Sequence, residues 1–395
     1  MRRRVLYIPG FDPIPPRRYR ELFRREGATQ ARISGYELSP AERGDTTGFG
    51  WAAQSVTKDR PAHAEIEVLI WSDLVARSMG HSIPATYGQL LRTAWAYIGS
   101  GALVGLMRLR RGPVIAALYP IAVLLAQAAT ALILAAMAGW LAAWGARAAG
   151  LPGWMAALPV AGAVAAAVLA GWRRLDGRIF AYYLMHDYAF TAQDHGAYPP
   201  VLNDRIDAFA ARVAQVAAQD WDEVLVVGHS SGAYIAVSVL ARLARRRQLP
   251  PHVALLTLGH VVPMASFLPH ADELRRDLHD LAASKTVWVD VTAPGDACCF
   301  GLCDPVAVSG CAPQGGGGPL IISAAFTQTL SRERLRRLRF RWFRLHFQYL
   351  CAFDRPGVYD YFQITAGPIT LAERFANRNH SPGRIARAVN RWHYP

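Results

Sequence analysis

The sequence predicts an α/β fold: an open, mostly parallel sheet with helices on both faces, interrupted by a transmembrane helical hairpin. Two observations carry that expectation. Short apolar runs alternate with amphipathic stretches, and parallel neighbours need such helical crossovers to bring the chain back. Between them, residues 112–146 and 148–172 carry no charge on either side of Arg147. Each run exceeds the roughly 20 apolar residues that cross a bilayer core.

The elements follow in order. VLYI at 5–8 reads as a buried strand stopped by Pro9-Gly10. The stretch 16–27 puts Tyr19, Leu22 and Phe23 on one helical face, with Gly27 as the expected stop. Strands are expected at 32–38 and 65–71. Beyond the hairpin, Leu202, Ile206, Phe209, Val213 and Val216 recur at helical spacing, and EVLVV at 223–227 is again a strand. The helix expected from Ala233 to Arg247 ends in arginines that complement its negative dipole end. Runs at 253–259, 285–291 and 319–326 supply later strands. The chain therefore divides into 1–107, the hairpin 108–178, 179–360 and a tail 361–395 whose polar composition suggests loose order.

In the hairpin, Gly150, Pro152 and Gly153 form the expected turn, and Trp140, Trp144, Trp154 and Trp172 fall near the interfaces that indole rings favour. Arg108, Arg110 and Arg111 precede the spans and Arg173, Arg174 and Arg178 follow them, whereas only Arg147 lies between. Positive flanks stay inside, so the soluble parts are expected on the cytoplasmic side of a cell membrane.

The net charge of +14 arises from 43 Lys plus Arg against 29 Asp plus Glu, with Lys only at Lys58 and Lys285. Arginine suits anionic headgroups, and with two apolar spans and no nucleic-acid motif the expected partner is a lipid bilayer, not nucleic acid. The segment 331–347 interleaves arginines with Leu, Phe and Trp and is a candidate for headgroup contact. Cys298, Cys299, Cys303, Cys311 and Cys351 are odd in number and match no zinc or iron–sulfur spacing, so reduced thiols are expected and no metal.

GHSSG at 228–232 fits GxSxG with Ser230 at its centre, where a strand turns directly into a helix. Gly228 and Gly232 leave room for the sharp turn that exposes a serine hydroxyl, and the helix start favours developing negative charge. On these residues the chain resembles the α/β-hydrolase superfamily of serine esterases and lipases, in a membrane-inserted form. The resemblance covers roughly residues 1–80 and 180–355 by element order. It departs in carrying Pro9 before Gly10, where many relatives have His, and in an insertion that precedes the nucleophile strand.

The resemblance implies a triad in the order Ser, acid, His. Asp296 follows the Pro-Gly turn after 285–291, with Asp290 and Asp304 as the other acids. His346 follows the next strand, with His380 and His393 as alternatives. Phe11 and Ser231 would donate the oxyanion-hole amides, with Gly10, His229 and His260 lining the pocket. The implied activity is acyl transfer on a lipid ester or other hydrophobic ester without any cofactor. A catalytically inactive membrane scaffold, or an esterase or thioesterase of a soluble substrate, are the alternatives.

Overall fold

The computed structural model describes residues 1–39, 42–43, 48–79 and 82–394, with the backbone alone at 42–43. Among the described residues nine strands form one sheet: β1 (Arg2–Ile8), β2 (Glu37–Leu38), β3 (Glu42–Arg43), β4 (Gly50–Thr57), β5 (Arg60–Val68), β6 (Glu223–His229), β7 (Val253–Leu258), β8 (Val287–Thr292) and β9 (Leu320–Ser323). Their order is β2-β4-β5-β1-β6-β7-β8-β9, with β3 also paired to β4. β5, β1, β6, β7, β8 and β9 run parallel. β4 pairs antiparallel with β5, and β2 and β3 antiparallel with β4.

This order makes a switch point. The chain leaves β1 for β5 on one side, returns past β1 to β6, and then steps outward through β7, β8 and β9. Crossovers on opposite sides of the β1/β6 pair open a crevice beyond their carboxyl ends, where open α/β sheets bind ligands.

Both faces of the central strands are covered, which is why they read as unbroken apolar runs. Val5 and Tyr7, Leu225 and Val227, Leu256 and Leu258, and Val289 and Val291 share one core with Tyr19, Phe23, Tyr349, Phe353 and Phe362. Alternate residues Leu6, Ile8, Val224 and Val226, equally buried, point to the opposite face because strand side chains alternate. The Gly232–Arg245 helix packs against β1, β6 and β7.

Four expectations change. Gly27 does not stop the first helix, which runs from Arg17 to Ser34 and is capped by Gly35 at φ 70°. A Cβ at Gly27 would meet Leu38 Cδ2 at 2.8 Å and Phe362 Cδ1 at 3.1 Å, so this glycine serves packing. The strand expected at 32–38 therefore begins as the end of that helix, through Ser34, and only Glu37–Leu38 joins the sheet. The 65–71 run belongs to a β4–β5 hairpin that turns through Lys58 (φ 50°) and Asp59 (φ 60°). The tail is ordered: Tyr361–Ala366 is a helix buried throughout, Thr370 and Glu373 form a capping box, Ile385 bridges to Cys303, and Asn390 is buried.

The chain forms two compact units: Met1–Ala76, Tyr97–Val114 and Asp194–Pro395, which hold the sheet, and Arg77–Ala96 with Ile115–Gln193. Two helices, Arg111–Ala148 and Gly153–Arg174, are long and apolar enough to cross a membrane. Leu132, Trp140, Trp144, Trp154 and Leu158 on them are each about two-thirds exposed. A hairpin buried in a soluble core would cover such side chains. The two helices approach closely through small residues, a Cβ at Gly139 standing 3.1 Å from Ala157 O and 3.2 Å from Ala161 Cβ. Close backbone approach through small residues is how helices pack in lipid, where no hydrophobic force draws them together.

Candidate functional site

The site is built on the carboxyl ends of β1, β6, β7 and β8. Ser230 stands between β6 and the Gly232–Arg245 helix at φ 57°. A left-handed backbone at a non-glycine residue costs on the order of 1–2 kcal/mol and persists only where its surroundings enforce it. They do so here. The Ser230 amide donates to Leu258 O at 2.9 Å, and Ser230 O accepts from the Ala233 amide at 3.1 Å. A Cβ at Gly228 would stand 2.5 Å from Gly232 O and 2.7 Å from Ala233 Cα. One at Gly232 would stand 2.5 Å from Pro9 O and closer still to Ile8 O. Both glycines are thus demanded by backbone, not by flexible side chains. Ser230 itself is half-buried.

The loop after β1 lies against this turn. A Cβ on Gly10 would meet Ser230 Cβ at 2.9 Å and Ser230 Oγ at 3.5 Å. The loop is held by three anchors. Trp71 Nε1 donates to Pro9 O at 2.8 Å, the Ile14 amide donates to Asp12 Oδ1 at 3.0 Å, and Arg18 pairs with Asp12 at 3.0 Å. Phe11 is buried edge-on to Trp71, with ring centroids 6.1 Å apart. The Ser231 amide, at the helix start, donates to no backbone carbonyl among the described residues.

Asp296 and His346, 50 residues apart, meet at 2.7 Å between His346 Nδ1 and Asp296 Oδ2. A carboxylate can only accept, so Nδ1 carries the proton and Nε2 of a neutral ring presents its lone pair. That Nε2 is buried and forms no hydrogen bond among the described residues, so none joins it to Ser230. Catalytic contacts of this kind commonly tighten only around a bound substrate. Gly259, at φ 52°, brings the two regions together: it follows Leu258, the acceptor of the Ser230 amide, and a Cβ on it would stand 3.1 Å from His346 Cε1.

Asp296 is further held by the Tyr349 hydroxyl at 3.1 Å and by the Cys298 amide at 2.9 Å to Oδ1. Burial opposes its ionisation, but the His346 imidazole, the Cys298 amide and the Cys299 thiol outweigh it and hold the carboxyl below its ordinary value. Tyr349 in turn accepts the Ala293 amide at 3.0 Å, which ties the acid loop to the segment bearing His346.

Sequence reasoning did not single out Tyr349, although it lies three residues after His346 on the same turn of chain. His229, expected to line the pocket, is buried instead behind His346. Burial and then the neighbouring His346 ring push its pKa down to about 3, so it is neutral and its Nε2 donates to His346 O at 3.1 Å. It positions the His346 backbone. His260 is likewise interior, with Nε2 on Cys303 O at 3.0 Å.

Among the other acids considered, Asp290 accepts from Thr257 Oγ1 at 2.6 Å and Asp304 caps the helix at Pro305–Val308. His380 Nδ1 accepts the Ile321 amide at 3.1 Å. None of the five cysteines is in a disulfide. Burial pushes Cys303 and Cys311 up to about 12, which makes them poor nucleophiles.

Asp296, Cys298 and His346 offer three donor atoms within 4.8 Å of one another. Two ligands of one tetrahedral zinc stand roughly 3.3 Å apart, given metal–ligand distances near 2.0–2.1 Å. The 2.7 Å between Nδ1 and Oδ2 is the length of a charge-assisted hydrogen bond. Compared with known proteins, the chain matches no family model, no curated protein and no solved structure.

Proposed function

We propose that the chain is a membrane-anchored serine hydrolase of the α/β-hydrolase type that cleaves a lipid ester or another hydrophobic ester. The observation that supports it best is the His346–Asp296 hydrogen bond, with His346 Nε2 unpartnered among the described residues and Gly259, next to the Leu258 that accepts the Ser230 amide, close to the His346 ring. Nε2 takes the proton from Ser230 Oγ as the oxygen attacks the ester carbonyl carbon. The carbonyl π pair moves onto oxygen, which the Ser231 and Phe11 amides receive. Collapse expels the alcohol with the proton from Nε2, and water, activated by the same nitrogen, releases the acid and restores Ser230. Asp296 stays ionised throughout and holds the tautomer.

Expected result: the purified chain reacts with a fluorophosphonate probe, and peptide mapping finds the label on Ser230. No label, or label that survives Ser230→Ala, sinks the reading and favours the inactive scaffold. Comparing short-chain with long-chain esters in detergent separates a soluble substrate from a hydrophobic one.

The anchor explains the substrate class, since it concentrates the enzyme where a water-insoluble ester resides. Six arginines flank the two apolar helices against Arg147 between them, so the sheet faces the cytoplasm. In a background of Cys298→Ser and Cys351→Ser, Arg17→Cys and Gln248→Cys are expected to react with an impermeant maleimide only after permeabilisation. Labelling in intact cells inverts the orientation.

A further inference from the structure

A second site lies in the unit that holds the sheet, apart from Ser230. A cleft of about 830 Å³ opens between the Ala102–Leu109 helix and the irregular segment 385–393, with Phe267 on its floor. Arg108, Arg387, Arg391 and His393 line it, and no carboxylate does. None of the three arginines makes an ion pair among the described residues. Asp304, whose amide donates to Ile385 O, is engaged by Arg384 and by the Val306 and Ala307 amides.

The walls are fixed. Asn390 Nδ2 donates to Ser266 O at 2.9 Å and to Ser309 O at 3.2 Å, and the Ile385 amide donates to Leu302 O at 2.8 Å. Opposite, Gly105 lets the helix down onto Phe267, a Cβ there standing 3.0 Å from Phe267 Cδ1.

Three unneutralised guanidinium groups on a rigid cleft repel one another, and an anion relieves that repulsion. Guanidinium forks match phosphate oxygens two at a time. The volume far exceeds a bare phosphate and falls within the range of pockets that hold small organic ligands. The chain points to the source: the Ala102–Leu109 helix is followed at Arg111 by the first apolar helix, and Val104, exposed on the former, lines the cleft.

We propose that this cleft binds the phosphate of an anionic glycerophospholipid, with the glycerol and the start of its acyl chains along Val104. The lipid source rests on the membrane reading above; the phosphate recognition is independent of Ser230.

The test uses the full chain in a nonionic detergent and short-chain diether phosphatidic acid, which an ester hydrolase cannot cleave. Binding is read by tryptophan fluorescence, since Arg391 lies over the Trp392 ring at 5.7 Å. Saturable binding is expected, weakened at least tenfold by Arg387→Gln with Arg391→Gln, and comparably by Arg108→Gln on the opposite wall if the double variant misfolds. Unchanged binding in these variants, or equal binding of the diether phosphatidylcholine, overturns the site. Inorganic phosphate binding as tightly as the lipid overturns the lipid assignment. Fluorophosphonate labelling of Ser230 is scored separately, so loss of one reading leaves the other standing.

Discussion

On the proposed mechanism, Asp296→Asn is expected to lower kcat/KM for a long-chain p-nitrophenyl ester by about 10⁴-fold, the loss that follows when the acid of a serine triad becomes an amide. The cause is a proton in the wrong place. With its oxygen kept on the Cys298 amide, the asparagine turns its NH₂ toward His346 Nδ1. Nδ1 must then accept, the ring proton moves to Nε2, and Nε2 can no longer take the Ser230 proton. The Tyr349 hydroxyl, which now donates to Asp296 Oδ2 at 3.1 Å, meets a second donor at that position and must turn away. A drop of less than tenfold would remove Asp296 from the mechanism. Fluorophosphonate labelling of Ser230 is expected to slow in parallel, because it needs the same base.

Gly232→Ala has the largest expected effect on stability. Its Cβ would press on Pro9 O and Ile8 O, the backbone of the central strand, where no rotamer can relieve the clash. Overpacking of a core costs about 1–3 kcal/mol where side chains can shift, so a clash with the carbonyls of Ile8 at the end of β1 and of Pro9 just after it costs about 3 kcal/mol or more. That corresponds to a fall in Tm of roughly 6–12 °C for a domain of 150–250 residues. Gly295→Ala is the control, because nothing lies within 4 Å of a Cβ there, and it should stay within about 0.5 kcal/mol of the parent. Equal melting of the two variants, followed by intrinsic fluorescence, would show that the contact at Gly232 relaxes freely.

Much of the architecture was legible because its signals are local. Val5–Ile8 and Val224–Val227 are apolar throughout since helices cover both faces of those strands, and continuous burial leaves a continuous run. The two apolar helices announce themselves by the absence of charge over lengths that only lipid accommodates. GHSSG was legible because its strand and helix are, and because Gly228 answers to Gly232 and Ala233 a few residues away, whereas the demand on Gly232 comes from Ile8 and Pro9 across the sheet. Less was visible where a residue's role depends on a distant partner. Gly27 reads as a helix stop until Leu38 and Phe362 are seen to press on it. β4 hides because its turn uses Lys58 and Asp59 at positive φ in place of the expected glycine.

The sequence by itself determined an α/β chain with two apolar helices, and a serine at a strand-to-helix turn, because hydrophobic period and backbone sterics act within a few residues. Only the tertiary structure decided that Asp296 and His346 touch, that Tyr349 and His229 hold them, and that the tail closes a basic cleft with Arg108. Each of those contacts joins residues 50 or more positions apart in the chain. Which side chain meets which is set by how the strands order around β1 and β6, and side-chain chemistry alone does not encode that order.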